Sequence, residues 1–288
     1  MENTQECPAP AGILVIIGGK ENKGGKEAPN RQTPAGFVEA DILKRFVDLT
    51  GKKDAIIQVI TSGSSEAAAS FQEYKKAFHE LGQRRVEHIH HDRREEVSKG
   101  SGLEQKARTS DAFFFAGGDQ LLLSSLYGGS TFLTALKERY IRDDVVIGGT
   151  SAGAMALSTP MIYAGNEEVQ EVSGEIKVTT GLEFLKDVCV DTHFVHRGRF
   201  IRLAQVISTN PGCTGLGIEE DTAVIVRNGV EAEVAGSGTV IRIEGFGISE
   251  ANMKNFAEKK PFSVRDLKVD ILATGDKFRI EQKNPPHK

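Results

Sequence analysis

Val145-Val146-Ile147-Gly148-Gly149-Thr150-Ser151-Ala152-Gly153-Ala154-Met155-Ala156-Leu157 is the stretch on which the fold turns. Its β-branched start reads as a buried strand, and the small and apolar residues after Ser151 can open a helix. Between them lies Gly149-Thr150-Ser151-Ala152-Gly153, the Gly-x-Ser-x-Gly pattern of a sharp strand-to-helix turn. Small neighbours let the backbone bend tightly and leave the Ser151 hydroxyl exposed. The amide of Ala152 then points towards a developing oxyanion, and the helix N-terminus adds positive potential there. In a chain with 31 glycines the pattern alone is weak, so its weight comes from the strand before it and the helix after it.

Working outward, Ile13-Leu14-Val15-Ile16-Ile17 reads as a second buried strand running into Gly18-Gly19. The following loop, Lys20 to Pro34, is rich in Gly, Lys and Asn and is expected to be mobile. Strands are expected over 55–60, 86–90 and 111–116, the last ending in Gly117-Gly118-Asp119-Gln120. Helical spacing covers 36–49, 65–81 (with Ser64 or Ser65 as N-cap), the polar run to 108, 121–127 and 132–140. This alternation implies crossover helices and a mainly parallel sheet covered on both faces, an α/β fold. Past Pro160 the texture changes to short strand-like runs at 188–192, 217–218, 223–226 and 239–243, with one helix over 199–208. Residues 264–280 read as strand pairs. With no repeat or low-complexity linker, 1–288 is read as one α/β hydrolytic domain whose last ~40 residues are a strand-like extension.

Bulk properties narrow the function classes. Hydrophobic residues make up 39% and charged residues 26%, which suits a globular chain with a large core. A net charge of −4 leaves no global basic footprint for nucleic acid. The three cysteines, Cys7, Cys189 and Cys213, do not look like a disulfide framework. The N-terminus lacks the basic and apolar regions of a signal peptide, and the early apolar run is too short to span a bilayer. The expectation is a soluble cytoplasmic protein without membrane contact.

A nucleophilic serine needs a base, and the chain has seven histidines. His88, His90 and His91 form an H-x-H-H run, but no partner cluster with metal-site spacing follows, so no metal site is read there. His193 lies just past the apolar run Val188-Cys189-Val190, at the carboxyl end of a strand, where doubly wound sheets place their sites. It is the candidate base. The orienting carboxylate is expected from Glu219-Glu220-Asp221, and spacing does not choose among the three. The chain order Ser, His, acid differs from the Ser, acid, His order of α/β-hydrolases.

Arg197, Arg199 and Arg202 surround the start of the helix expected over 199–208. Cations at a helix N-terminus oppose its dipole, so three of them beside a candidate base point to recognition of an anion. Arginine forks suit carboxylates, which predicts a substrate bearing them.

Together these segments resemble the cyanophycinase family of serine peptidases, which also contains dipeptidase E. The landmarks are Gly117-Gly118-Asp119-Gln120, Gly149-Thr150-Ser151-Ala152-Gly153-Ala154, Asp191-Thr192-His193-Phe194, the Arg197, Arg199 and Arg202 pattern, and Gly217-Ile218-Glu219-Glu220-Asp221-Thr222-Ala223. The resemblance implies a flavodoxin-like three-layer sandwich related to class I glutamine amidotransferases. It also implies a triad of Ser151, His193 and Glu220 and a homodimer. Family pocket residues match Asp191 and Gln120, the latter on the side opposite the triad helix. The implied substrate is cyanophycin, a polyaspartate with arginine on each side-chain carboxyl, cleaved in its backbone to β-Asp-Arg dipeptides. Where cyanophycinases carry Gln between the Asp and the His, this chain has Thr192, which alters one substrate contact.

The implied mechanism is acyl transfer without metal or cofactor. Ser151 attacks, His193 moves the proton, Glu220 holds the imidazole, and the amides of Ala152 and Gly118 face the oxyanion. Gln120, Asp191, Thr192, Arg197, Arg199 and Arg202 form the expected substrate contacts. The alternatives are a dipeptidase E-like hydrolase of N-terminal aspartyl peptides and a non-catalytic flavodoxin-like module that binds an anion.

Overall fold

A computed structural model of the chain describes residues 8–24, 41–97, 102–164, 176–252 and 262–280. Its first half alternates β1 (Ile13–Ile17), α1 (Asp41–Asp48), β2 (Ile57–Ile60), α2 (Ala67–Glu80), β3 (Val86–Ile89), α3 (Leu103–Thr109), β4 (Ala112–Phe115), α4 (Gln120–Tyr127), α5 (Thr131–Arg142) and β5 (Val146–Thr150). Then follow α6 (Ala152–Ala156), β6 (Ser158–Thr159), β7 (Met161–Ala164), β8 (Lys177–Thr179), β9 (Leu185–Lys186), β10 (Val188–Thr192) and α7 (Phe200–Thr209). The remainder is β11 (Thr214–Ile218), β12 (Thr222–Arg227), β13 (Glu231–Gly236), β14 (Val240–Glu244), β15 (Glu250–Ala251), β16 (Val264–Arg265), β17 (Lys268–Leu272) and β18 (Lys277–Arg279).

The strands of the first half are apolar on both faces because both faces are covered. Leu14 and Ile16 of β1, with Phe113 and Phe115 of β4, pack on one side, against α3, α4 and α5. Val15, Ile17 and Phe114 point the other way, onto Ile42 and Phe46 of α1 and Phe71 and Phe78 of α2. Strand period two thus divides one apolar run between two cores. The helices stop and start on local chemistry. Asp119 caps α4 by accepting from the amides of Leu121 at 2.7 Å and Leu122 at 3.2 Å, and Ser130 caps α5 through Leu133 N at 3.1 Å. Such a cap contributes about 1 kcal/mol. Helix α2 differs from expectation. Its N-cap is Glu66, and Ser64 Oγ instead accepts from Glu66 N at 3.1 Å, closing the turn before the helix. The helix expected over 36–49 is described from Asp41, and its first residues lie outside the described chain.

The main sheet runs β18-β13-β12-β1-β5-β4-β2-β3. β1, β5, β4, β2 and β3 are mutually parallel, and β12, β13 and β18 add antiparallel strands at one side. The mixed α/β fold with a large, mainly parallel sheet and flanking helices agrees with the sequence. The later strand-like runs build more than an extension of that sheet. β17-β14-β11-β10-β6-β9 form a second, six-stranded sheet. It packs through Val188, Val190, Leu216, Ile218 and Val240 into the same core as β1 and β4. Its short strands pair at long range, which local periodicity does not report. Both sheets bring strand ends to one place: β1, β4 and β5 from the first, β10 and β11 from the second.

Candidate functional site

Gly149 and Gly153 make the turn at Ser151 possible. A Cβ on Gly149 would stand 2.6 Å from Gly153 O, and one on Gly153 would collide with Phe115 O on the neighbouring strand. Ser151 is left at φ 52° and ψ −118°, a conformation rare for a residue with a side chain, and its amide donates to Ile17 O at 3.0 Å. Four of the eight non-glycine residues at positive φ among the described residues lie here. Lys20, Ser151, His193 and Asp221 all adopt it, and backbone strain of this kind concentrates at functional sites.

His193 follows β10 and Glu220 follows β11, and these two strands are parallel neighbours. Ser151 Oγ lies 2.9 Å from His193 Nε2, and His193 Nδ1 lies 2.8 Å from Glu220 Oε1. The three groups that the sequence places on separate segments therefore form one hydrogen-bonded line. Of the three acids left open by spacing, Glu220 faces the imidazole. Glu219 Oε2 accepts from the amide and hydroxyl of Thr239, and Asp221 accepts from Asn22 N at 2.9 Å and Ser237 Oγ at 2.7 Å.

The electrostatics suit proton transfer at neutral pH. Burial pushes the His193 pKa below the ordinary imidazole value; the Glu220 hydrogen bond opposes this, and the charge of Arg197 reinforces it. Burial alone would raise the Glu220 pKa, but hydrogen bonds from His193 and Lys20 outweigh it, so the carboxylate sits lower than usual. The result is a neutral imidazole against an ionised carboxylate.

Gly117 passes alongside the serine. A Cβ on Gly117 would stand 3.4 Å from Ser151 Cβ. Gly118, at φ 136°, is pressed against the backbone of Gly63. Ala152 opens α6 directly after the serine. Gln120 is half-buried at the start of α4, and its Nε2 donates to Ile162 O at 2.9 Å.

The arginine cluster divides in two. Arg202 is buried and forks onto Asp191, with Nε 2.7 Å from Oδ2 and Nη2 2.5 Å from Oδ1. Arg199 reaches Asp191 Oδ1 at 3.2 Å and Thr192 O at 2.8 Å through Nη1. Burial pushes the Arg199 pKa down to about 10, with Asp191 opposing the shift and Arg202 adding to it. Asp191 itself is 0% exposed. Two of the three arginines at the start of α7 are therefore paired with an internal carboxylate rather than left for a substrate anion alone. Arg197 is exposed beside the triad. Thr192 is buried, with no partner for its hydroxyl among the described residues. His88 bonds Thr61 Oγ1 at 2.7 Å and stacks on Phe71, His90 lies 3.3 Å from Asp92, and His91 bonds Tyr127, so all three histidines of the H-x-H-H run have other partners.

Lys20 and Glu21 were not singled out by the sequence, where they open a glycine-rich loop. Lys20 Nζ lies 3.0 Å from Glu220 Oε1. Glu21, 4% exposed, accepts from Tyr74 and Thr150 hydroxyls at 2.5 Å each. The signal that could have found them is position: they follow the carboxyl end of β1, the parallel neighbour of β5.

The fold is shared with a solved peptidase from an acI-B1 Actinobacterium, at a TM-score of 0.63 over 95% of this chain and 98% of that one, with 19% identity. Residues 35–234 match peptidase family S51, and the chain belongs to that family. A cyanophycinase from Geminocystis herdmanii is 31% identical over 274 residues, covering 94% of this chain and 95% of its own. A Nostoc cyanophycinase is 28% identical over 270 residues, covering 94% and 86%. The protein is a peptidase of this family, similar to cyanophycinases along nearly its whole length.

Proposed function

We propose that the chain is a serine-type exopeptidase that hydrolyses cyanophycin to β-Asp-Arg dipeptides through an acyl-enzyme. The observation that carries this reading is the hydrogen-bonded line Ser151–His193–Glu220 at the strand ends. Ser151 Oγ attacks the scissile carbonyl carbon while His193 Nε2 takes its proton. The amides of Ala152 and Gly118 face the resulting oxyanion. His193 then protonates the departing amine, the acyl-serine forms, and water activated by the same imidazole releases the acid. Glu220 holds the imidazole tautomer and stabilises the imidazolium.

Similarity to the cyanophycinases supports the substrate. Its carboxylates suit Arg197 and Arg199. Asp191, forked by the buried Arg202, also pairs with Arg199 and fixes it beside the exposed Arg197, and the half-buried Gln120 is the proposed polar contact from α4. The same resemblance supports a flavodoxin-like sandwich, a single hydrolytic domain and a cytoplasmic homodimer. The sheet supports the first in that β3-β2-β4-β5 follow a doubly wound order, with β1 taking the next place. The core shared by both sheets supports the second. Sedimentation velocity tests the dimer.

Incubation with cyanophycin and, separately, with Asp-X dipeptides tests the substrate. Mass spectra of the first should show β-Asp-Arg. Turnover of Asp-X alone would favour a dipeptidase E-like enzyme instead.

A further inference from the structure

The segment Gly18-Gly19-Lys20-Glu21-Asn22 touches His193 and Glu220 directly and, through Thr150, the turn that carries Ser151. Gly18 O accepts from His193 N at 2.9 Å, and Gly18 N donates to Thr222 O at 2.9 Å. Gly19 lies against the imidazole, and its carbonyl accepts from Asp221 N at 2.9 Å. Asn22 N closes the same loop onto Asp221 Oδ1. The backbone is thereby fixed between the turns that carry His193 and Glu220. Lys20 is held at φ 45°, and its ammonium reaches Glu220 Oε1, the oxygen that His193 Nδ1 also uses.

Glu21 secures the other end. Its buried carboxylate accepts from Thr150, the residue before the nucleophile, and from Tyr74 on α2. It pairs with hydroxyls, and burying a carboxylate on such partners costs stability that an apolar residue would not. A position like this is explained better by what it holds than by folding.

We propose that Lys20 and Glu21 are positioning residues of the hydrolytic triad, Glu21 anchoring the segment to the nucleophile turn and Lys20 holding the shared carboxylate oxygen of Glu220. The inference rests on the triad proposed above. Lys20 is 61% exposed, so its ion pair contributes little to folding. Its effect falls on the triad. An ammonium at Glu220 stabilises the carboxylate and offsets part of its pull on the imidazolium, so its loss makes His193 easier to protonate.

The test is the pH dependence of cyanophycin hydrolysis by full-length wild type, Lys20→Gln, Lys20→Arg, Glu21→Gln and Ser151→Ala. In Lys20→Gln the acid limb of kcat/KM should move up by about half a pH unit with the thermal midpoint unchanged, and Lys20→Arg should restore it. In Glu21→Gln one of the two accepting oxygens becomes an NH2 donor, so one of the two hydroxyls loses its acceptor and must turn round. This substitution should lower kcat about tenfold and leave KM alone. An acid limb in Lys20→Gln that overlays the wild type overturns the proposal, as does an equal shift in Lys20→Arg or a wild-type kcat in folded Glu21→Gln. Should Glu21→Gln not fold, the two Lys20 variants decide. An active Ser151→Ala would instead sink the triad itself, whereas an inactive one beside an unshifted Lys20→Gln removes only the positioning role.

Discussion

Gly19 lies so close to His193 that a Cβ on it would stand 2.5 Å from the imidazole Nε2. That nitrogen is the one facing Ser151 Oγ. The absence of a side chain at residue 19 is therefore a condition for the imidazole to sit where it does. Gly19→Ala should push the ring off the serine, and φ of 101° adds backbone strain to the substitution. A displacement near 1 Å in a reacting group costs on the order of 10²-fold in kcat. Steady-state kinetics on the folded variant check this, with near-UV circular dichroism confirming the fold.

Glu219 and Glu220 are adjacent but not equivalent. Glu220 is hydrogen-bonded to His193, while Glu219 is tied to Thr239, just before β14 of the second sheet. Glu220→Gln should lower kcat by about 10⁴, the scale set by disorienting the base in such triads. Glu219→Gln should retain most activity. Parallel kcat measurements on the two variants distinguish them.

The pH dependence follows from the site. In the proposed mechanism His193 acts as a base only when neutral, and burial holds its pKa below the ordinary imidazole value. Activity should stay level through neutrality and fall only as pH drops through that lowered value. Removing the nearby cation in Arg197→Ala should raise the limb. Both His193 and Glu220 bind protons less readily folded than unfolded. Their contribution to stability is present near neutrality and is lost on acidification. Urea midpoints at neutral and acidic pH measure it.

The arginines should separate by burial. Arg202→Leu leaves the buried Asp191 carboxylate without its fork and should cost about 3–5 kcal/mol in stability. Arg197→Ala should leave stability nearly unchanged and raise KM for cyanophycin. Denaturant titration and Michaelis kinetics on both variants test the division.

What the sequence made legible was local. The β1 and β5 strands, the glycines around Ser151 and the helix after Gly117-Gly118 follow from patterns within a dozen residues. The helix-start arginines were legible as an electrostatic anomaly. The anion that partly answers it, Asp191, lies inside the protein, at the end of a strand that reads simply as apolar. The second sheet was hidden because β10, β11, β14 and β17 are short and pair across long separations. Glu21 was hidden for the same reason: its partner Thr150 lies 129 residues away, and a glycine-rich loop otherwise reads as mobile.

The proposed function makes Ser151 the nucleophile of a cyanophycin-cleaving enzyme. Its most direct test is mass-spectrometric quantification of β-Asp-Arg released from cyanophycin by wild type and by correctly folded Ser151→Ala. The expected result is steady release by wild type and a loss of at least about 10⁴-fold in the variant. Equal release by the two proteins would contradict the claim.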